Sequence, residues 1–175
     1  VEQLHDWTQI TSYFLEAIVN IIKMENRLKE AVKDEKVLLE AKKLGFSDVC
    51  IARLWNCKEI EVYNLRKSLN MFPIYRMVDT CHTNAYIPYF YSSYTGENTS
   101  VLTDKKKIVV LGAGPIRIGQ GVEFDYSTVH AVQTIKNSGY EAIIINNNPE
   151  TVSTDYTTAD KLYFEPLTPE DVMNI

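Results

Sequence analysis

Residues 107–121, KIVVLGAGPIRIGQG, decide the fold of the second half of the chain. The apolar run Ile108–Leu111 has the length of a buried strand, and a glycine-rich turn follows it directly. An amphipathic helix through Val129 comes next and ends at Gly139, and a second apolar run, Ala142–Ile145, follows that helix. This order predicts a βαβ unit with a parallel sheet.

The turn after the first strand has the glycines of two nucleotide-binding motifs but not their other residues. The Rossmann fingerprint GxGxxG requires a third glycine where Arg117 stands. The phosphate loop requires a lysine and a hydroxyl residue after its last glycine, and here Gln120 and Gly121 follow it. The turn therefore matches neither motif. Its candidate site residues are Gly112, Gly114, Arg117, Gly119 and Gly121.

The elements continue after the second strand. Leu162–Phe164 predicts a third strand, and Thr168 followed by Pro169 predicts the start of a helix with proline at its first position. A parallel sheet of three strands leaves an edge that needs cover. We therefore expect a truncated Rossmann-like sheet, and we expect the chain to be an internal piece of a longer one.

The first half of the chain predicts helices. Apolar residues at helical spacing run through residues 17–28, and Thr11 stands where it could cap that helix. The same spacing recurs over residues 37–44, where Gly45 is placed to end the helix in a left-handed conformation. Ser47 predicts the cap of the next short helix.

Two further signals complete the first half. Asn56, with Glu59 three residues later, predicts a capping box at the start of a helix whose apolar stripe runs from Val62 to Leu69. After Pro73 the sequence is aromatic and lacks periodicity, which predicts a loop packed over a surface. The first half is therefore expected to be all-helical.

Glycine content marks the domain boundary. Only two of the seven glycines precede residue 105, and the polar stretch that begins at Thr95 has no apolar periodicity. We predict a helical domain over residues 1–94, a linker over 95–106 and the α/β domain over 107–175. The predicted fold class is thus α plus α/β.

Composition excludes several classes of protein. The net charge of -5 argues against broad attraction to nucleic acid or to an anionic membrane, and no apolar run of 18 residues is present. Cys50, Cys57 and Cys81 are odd in number and lack CxxC spacing. We therefore expect buried, reduced thiols in a cytoplasmic protein and no metal site.

Residues 46–70 have the length and stripe of a helix-turn-helix. A recognition helix there would offer Lys58, Arg66 and Lys67 to DNA. Residues 1–104, however, carry twelve Lys and Arg against fourteen Asp and Glu, and counterion release requires a basic surface. A plain helical hairpin is favoured, and a DNA-binding regulator joined to an NAD-sensing domain stays as the alternative.

Two polar loops follow the carboxyl ends of the first two α/β strands, over residues 112–127 and 146–156. Such ends form the ligand side of an open α/β sheet, so the loops predict a crevice. The second strand ends in Asn146 and not in the carboxylate that would hold an NAD ribose. Glu123 and Glu150 lie one in each loop, and the pattern leaves open whether they are solvated acids or functional ones.

Two runs in the second half, GPIRIGQGVEFDYSTVHA and INNNPETVSTDYTTADKLYFEPLTPEDV, closely resemble the large subunit of carbamoyl phosphate synthetase, at the start of its carbamoyl phosphate-forming half. LEAIVNIIKMENRL, AKKLGFSDVCIARLW and MVDTC are similar to the all-helical oligomerisation domain that separates the two synthetase halves. The resemblance is strong over residues 107–175 and looser before them. The chain departs from the family at HTNAYI, which is short and lacks a Glu-Phe pair.

The resemblance implies a fragment of an ATP-dependent ligase, with an oligomerisation domain followed by a pre-ATP-grasp domain. The family makes carbamoyl phosphate from glutamine-derived ammonia, bicarbonate and two ATP with Mg²⁺ or Mn²⁺, for arginine or pyrimidine biosynthesis. Its partners are a small glutaminase subunit and other large subunits. The groups that grip ATP lie further along the parent chain, so the fragment is expected to bind no cofactor, metal, nucleic acid or membrane and to be inactive alone.

The resemblance also implies roles for the two acids. By motif, Glu123 of GVEFDY and Glu150 of NPET occupy positions along the tunnel that carries carbamate to the second active site. The glycine loop would then border that route and would not cradle a nucleotide.

Overall fold

The chain divides into two compact units, Val1–Phe72 and Pro73–Ile175, and each is described by itself. The computed structural model describes residues 1–78, 85–116 and 121–175, with the side chains of residues 121–124 outside the description. Within these ranges, no helix combines the length and the apolar character needed to cross a membrane.

The first unit consists of helices whose ends follow the capping residues. Ser47 Oγ accepts a hydrogen bond from Cys50 N at 3.2 Å and begins the fourth helix, as predicted. Gly45 has φ +85° and ends the third helix, where Phe46 N donates to Ala41 O at 3.1 Å. The helices are α1 Glu2–Thr8, α2 Ser12–Glu30, α3 Glu35–Lys43, α4 Asp48–Trp55 and α5 Glu59–Ser68.

Two predicted caps differ from the structure. Thr11 precedes α2, but its side chain makes no capping hydrogen bond. Asn56 ends α4 with φ +52° and does not begin α5. Instead, Glu61 Oε1 accepts a hydrogen bond from Lys58 N at 3.1 Å at the start of α5. Asparagine tolerates the left-handed conformation, so it serves here as a helix terminator.

The apolar stripe of α2 has one part that is exposed and one part that is buried in the core of the first unit. Met24 and Leu28 are buried, whereas Ala17 and Ile21 in the first half of the helix are exposed. Trp55 Nε1 donates a hydrogen bond to Leu28 O at 2.8 Å and links α4 to α2. The buried core consists of Met24, Leu28, Val37, Leu38, Ala41, Phe46, Ile51, Ala52, Trp55 and Val62.

A network of charged side chains is buried beside this core. Asp48 accepts from Arg66 Nε at 2.9 Å and Nη2 at 2.5 Å, and from Lys42 Nζ at 3.2 Å. Each cation also donates to a backbone carbonyl, Arg66 Nη1 to Met71 O at 3.1 Å and Lys42 Nζ to Phe46 O at 2.7 Å. Because Arg66 is bound inside the unit, it is not available to DNA phosphates, which weakens the helix-turn-helix interpretation.

In the described part of the second unit, five strands form one sheet in the order β1-β2-β5-β4-β3. The strands are β1 Ile74–Met77, β2 Tyr89–Ser93, β3 Lys107–Leu111, β4 Glu141–Ile145 and β5 Lys161–Tyr163. Helix α6, Gly121–Asn137, connects β3 to β4, and β4 pairs in parallel with β3 on one side and with β5 on the other. Thr168 Oγ1 accepts from Asp171 N at 3.3 Å and caps α7, Pro169–Asn174. The predicted fold class is confirmed.

The aromatic segment after Pro73 was predicted as a loop of the helical domain, and this prediction is wrong. It contains β1 and β2, and β2 covers the edge of β5. Residues 95–106, predicted as a linker, pack on the sheet, where Thr99 N donates to Tyr75 O at 2.9 Å and Lys161 Nζ donates to Val101 O. The second unit therefore begins at Pro73 and not after residue 94.

Cys50 and Cys57 are half-buried free thiols, and burial raises the pKa of Cys57. Cys81 lies outside the described residues.

Candidate functional site

The carboxyl ends of β3 and β4 lie side by side, with Leu111 opposite Ile145. Gly112 N donates to Ile145 O at 2.9 Å, so the pairing extends one residue beyond β3. The segments that follow the two strands leave from the same edge of the sheet. The convergence that the sequence predicted for this edge is therefore present.

Asn146 fills the space between these two segments and is 1% exposed. Its Oδ1 accepts hydrogen bonds from Gly114 N at 3.2 Å and Asn148 N at 3.4 Å. A Cβ at Gly112 would lie 2.5 Å from Asn146 Cγ, so close packing explains the glycine there. Since Oδ1 is already engaged by the backbone, it is not free to bind a ribose. Nδ2 has no hydrogen-bond partner among the described residues.

The structure locates only part of the predicted glycine loop. Gly114 has φ +70°, a conformation that favours glycine. Gly121 is the first residue of α6. Arg117 and Gly119 lie outside the described residues.

Glu123 was placed in a loop, and this placement is wrong because α6 begins two residues earlier. Its backbone lies in the first turn of that helix, and its side chain is outside the description.

Glu150 lies on the segment after β4, where the sequence placed it. Its N–H donates to Asn148 Oδ1 at 3.0 Å, and its side chain is exposed. It borders a groove of about 570 Å³, together with Tyr89 and Asp155. The groove is open, so Glu150 can contact a ligand there without displacing the core.

Asp125, in α6, binds the segment that carries Glu150. Asp125 is 1% exposed, and its Oδ2 accepts from Thr151 Oγ1 at 2.7 Å and from Ser153 N. The other oxygen, Oδ1, and the buried hydroxyl of Ser153 have no hydrogen-bond partner among the described residues. The two hydrogen bonds therefore connect the beginning of α6 to the short 3-10 helix Val152–Thr154.

A second contact holds the same segment from the side of the sheet. Tyr89 Oη, on β2, donates to Thr154 O. Burial raises the pKa of Tyr89 to about 12, and the nearby Asp155 and Tyr156 add to this rise. The phenol therefore stays protonated near neutral pH and keeps its role as a donor.

The described residues of this arrangement position groups but do not form a reacting centre. Among them, no three His, Cys, Asp or Glu side chains are grouped to hold a metal ion. The described part of the glycine loop supplies backbone groups, and the residue after β4 supplies the amide of Asn146. These described residues do not fit Mg²⁺–ATP, and we derive no step through it.

The sequence analysis missed Asp125, Thr151, Ser153 and Tyr89. A signal for Asp125 was available: it precedes Val129 by four residues and Val132 by seven, so it belongs to the apolar stripe of α6. An acid in register with a buried stripe must find hydrogen-bond donors. Those donors lie 26 and 28 residues further along the chain, and sequence spacing alone does not identify them.

The fold combines an all-helical unit with a Rossmann-like α/β unit. The family model described as the carbamoyl-phosphate synthetase large chain oligomerisation domain matches residues 1–70. The model described as the carbamoyl phosphate synthase preATP-grasp domain matches residues 104–175. The chain belongs to the carbamoyl phosphate synthetase large-chain family, and both domains are parts of that ligase.

Proposed function

We propose that this chain contributes one side of the carbamate passage in a glutamine-dependent carbamoyl phosphate synthetase. In this proposal the intact enzyme acts in the cytoplasm with a glutaminase subunit and uses ATP with Mg²⁺ or Mn²⁺ bound elsewhere. Glu123 and Glu150 act in transfer of the intermediate and not in chemistry at an ATP site.

One observation carries the proposal. The beginning of α6, which bears Glu123, and the segment after β4, which bears Glu150, are hydrogen-bonded to each other through Asp125 and Thr151. Two acids that are 27 residues apart in sequence are thereby brought to neighbouring elements at the ligand side of the sheet. Glu150 itself borders an open groove.

The chemistry of carbamate favours such a site. Carbamate is labile in water, so a passage that excludes solvent and offers few fixed polar groups limits its hydrolysis. A carboxylate repels an anion but accepts a hydrogen bond from the neutral carbamic acid. Carboxylates along the passage therefore favour movement of the protonated intermediate.

The test uses Glu123→Leu and Glu150→Leu in the intact synthetase, because leucine removes both the charge and the hydrogen-bond acceptors. Bicarbonate-dependent ATP cleavage should remain close to that of the unchanged enzyme, because it reports the first active site. ATP formation from ADP and supplied carbamoyl phosphate should also survive, because it reports the second site without the passage. Overall synthesis should fall about 10-fold, with more ATP cleaved per product.

The control is Asp104→Leu, the same kind of change at an exposed acid of the same unit that lies just before β3, at the opposite edge of the sheet. It should leave all three activities unchanged. Loss of the ADP-dependent back reaction in a folded Glu123 or Glu150 variant would instead assign these acids to the second active site. Unchanged overall synthesis would identify them as solvated surface acids.

We also propose that the first unit mediates self-association, with a second copy of the chain as the partner. The support is the oligomerisation-domain match together with the exposed apolar side of α1 and the first half of α2. Tyr13 and Phe14 lie there with their ring centroids 5.4 Å apart, edge to face, and both rings are exposed. The other exposed apolar residues of this segment are Leu4, Trp7, Ile10, Ile18, Ile21 and Ile22.

Sedimentation of the chain over a range of concentrations tests this surface. The unchanged chain should associate as concentration rises, and Tyr13→Glu should weaken association because burial of a charge on an apolar surface is unfavourable. Leu102→Glu, at an equally exposed apolar position of the second unit, is the matched control. A strict monomer at all concentrations would contradict the proposal for this chain.

A further inference from the structure

Asp125 is a buried carboxylate that has no direct role in the proposed passage. It is located on α6 two residues after Glu123, and it binds Thr151, the residue next to Glu150. Its second hydrogen bond, from Ser153 N, engages the backbone of the same segment. Asp125 thus contacts the segment that carries one proposed acid from the helix that carries the other.

The local structure explains why this contact controls position. Segment 147–155 contains only the short 3-10 helix Val152–Thr154 as regular structure, so few backbone hydrogen bonds of its own hold it. Asp125 holds the segment to α6, and Tyr89 holds it to β2 through Thr154 O. Among the described residues, the hydrogen bonds that join this segment to α6 are those of Asp125.

The buried carboxylate of Asp125 is only partly hydrogen-bonded among the described residues. A buried carboxylate is costly without a cation or a full set of donors. Oδ1 has no hydrogen-bond partner in the described part of the chain, and neither has the hydroxyl of Ser153. Apolar side chains in place of Asp125 and Thr151 would suit stability better, so the acid points to a requirement for position.

We infer that Asp125 is a positioning residue that fixes the separation of Glu123 and Glu150 along the carbamate passage. This inference rests on the proposed function. Without the hydrogen bonds to Oδ2, the segment after β4 moves relative to α6 and the passage opens to water. Carbamate then escapes between the two active sites, although each site still works.

The experiment compares Asp125→Ala with Asp125→Asn in the intact synthetase. The alanine variant should lower overall synthesis about 10-fold and raise the ATP cleaved per carbamoyl phosphate, while both partial reactions persist. The asparagine variant should retain most of the coupling. Its amide oxygen can replace Oδ2 as the acceptor, and its nitrogen can take the place of Oδ1, which has no partner among the described residues.

A second pair of variants, at Thr151, tests the same contact if the Asp125→Ala protein does not fold. Thr151→Val removes one donor to Asp125 with little change of shape, whereas Thr151→Ser retains the hydroxyl. Valine should raise the ATP-to-product ratio and serine should not. Asp160→Asn is the matched control, because Asp160 Oδ2 accepts a backbone hydrogen bond from Ala142 N at 2.8 Å at the opposite end of β4.

The ratio of ATP cleaved to product formed separates positioning from general stability, because a partly unfolded enzyme loses all activities together. If the leucine variants of Glu123 and Glu150 raise the ratio and Asp125→Ala does not, the inference is overturned and the passage proposal stands. If none of these variants raises it, the passage proposal fails and the inference fails with it.

Discussion

Asp48 in the helical unit and Asp125 in the α/β unit are both buried, yet their surroundings are opposite. Asp48 binds two cations, Arg66 and Lys42, each of which also donates to a backbone carbonyl. Asp125 accepts from Thr151 and Ser153 on one oxygen only, and no ion pair involves it within the described ranges. A paired and hydrogen-bonded charge maintains a fold, whereas an incompletely satisfied one is typical of a functional site.

The largest effect on stability is expected from removing Asp48, the acid of the buried charged network. Asp48→Ala leaves Arg66 and Lys42 buried without their counter-charge and should lower the free energy of unfolding of the helical unit by about 3–5 kcal/mol. Both tryptophans, Trp7 and Trp55, lie in this unit, so urea unfolding followed by tryptophan fluorescence reports it directly.

The control for this prediction is Glu40→Gln. It removes the exposed ion pair between Arg27 Nη1 and Glu40 Oε2, whose atoms are 2.5 Å apart. Exposed pairs are screened by solvent, so the urea midpoint should change little. Equal midpoints for the Asp48 and Glu40 variants would show that the buried cluster does not stabilise the unit.

The next effect concerns the close contact at the candidate site. Gly112→Ala would place a methyl group 2.5 Å from Asn146 Cγ and should cost about 3 kcal/mol through overpacking. The double variant with Asn146→Ala should recover part of this loss, because the clash partner is shortened. Urea unfolding of the four proteins, followed by circular dichroism, measures the coupling. Additive losses would indicate that the two residues do not interact.

A smaller effect on stability is expected from removing Asp125, the incompletely hydrogen-bonded acid. Asp125→Ala leaves the donors of Thr151 and Ser153 unpaired and should cost about 2 kcal/mol. Asp125→Asn keeps an acceptor for both and should be close to neutral. Hydrogen exchange of residues 147–155, read by mass spectrometry, should accelerate in the alanine variant. A loss as large as that of Asp48→Ala would remove the contrast between the two acids.

The smallest expected effect concerns the pH dependence of stability, which has opposite signs at two further acids of the α/β unit, Glu165 and Glu141. Burial raises the pKa of Glu165 above its ordinary 4.5, although Ser92 donates two hydrogen bonds to it and partly offsets the rise. The native state then binds more protons than the unfolded state just above pH 4.5, so stability falls as pH rises through the folded pKa. Glu165→Gln should remove this decline.

The pKa of Glu141 is shifted in the opposite direction. Burial acts to raise its pKa, but the hydrogen bonds from Thr103 and Lys161 outweigh burial and lower the pKa below 4.5. Its contribution to stability is therefore complete above pH 4.5 and is lost as pH falls through the folded pKa. The urea midpoint of the α/β unit, plotted against pH, should pass through a maximum and decrease at both lower and higher pH. A profile that is unchanged by Glu165→Gln would contradict the assignment.

The sequence by itself determined the elements whose signals are local. The period of the apolar residues predicted most of the helices and the strands β3 to β5, and Ser47 and Gly45 act at helix ends as predicted. The departure of the glycine turn from the dinucleotide motif at Arg117 is also visible in the sequence, because the requirement for a third glycine is local too. Glu150 lies on the segment where the motif placed it.

Only the tertiary structure decided features that depend on distant partners. The aromatic segment after Pro73 becomes two strands because β5 offers an unpaired edge to Tyr89 and Phe90. Arg66 is a buried cation and not a surface one because Asp48 lies beside it, 18 residues earlier in the chain. Asp125 binds Thr151 because folding brings α6 against the segment after β4. Periodicity encodes which residues are buried, but the free energy of a buried polar group depends on partners that only the fold supplies.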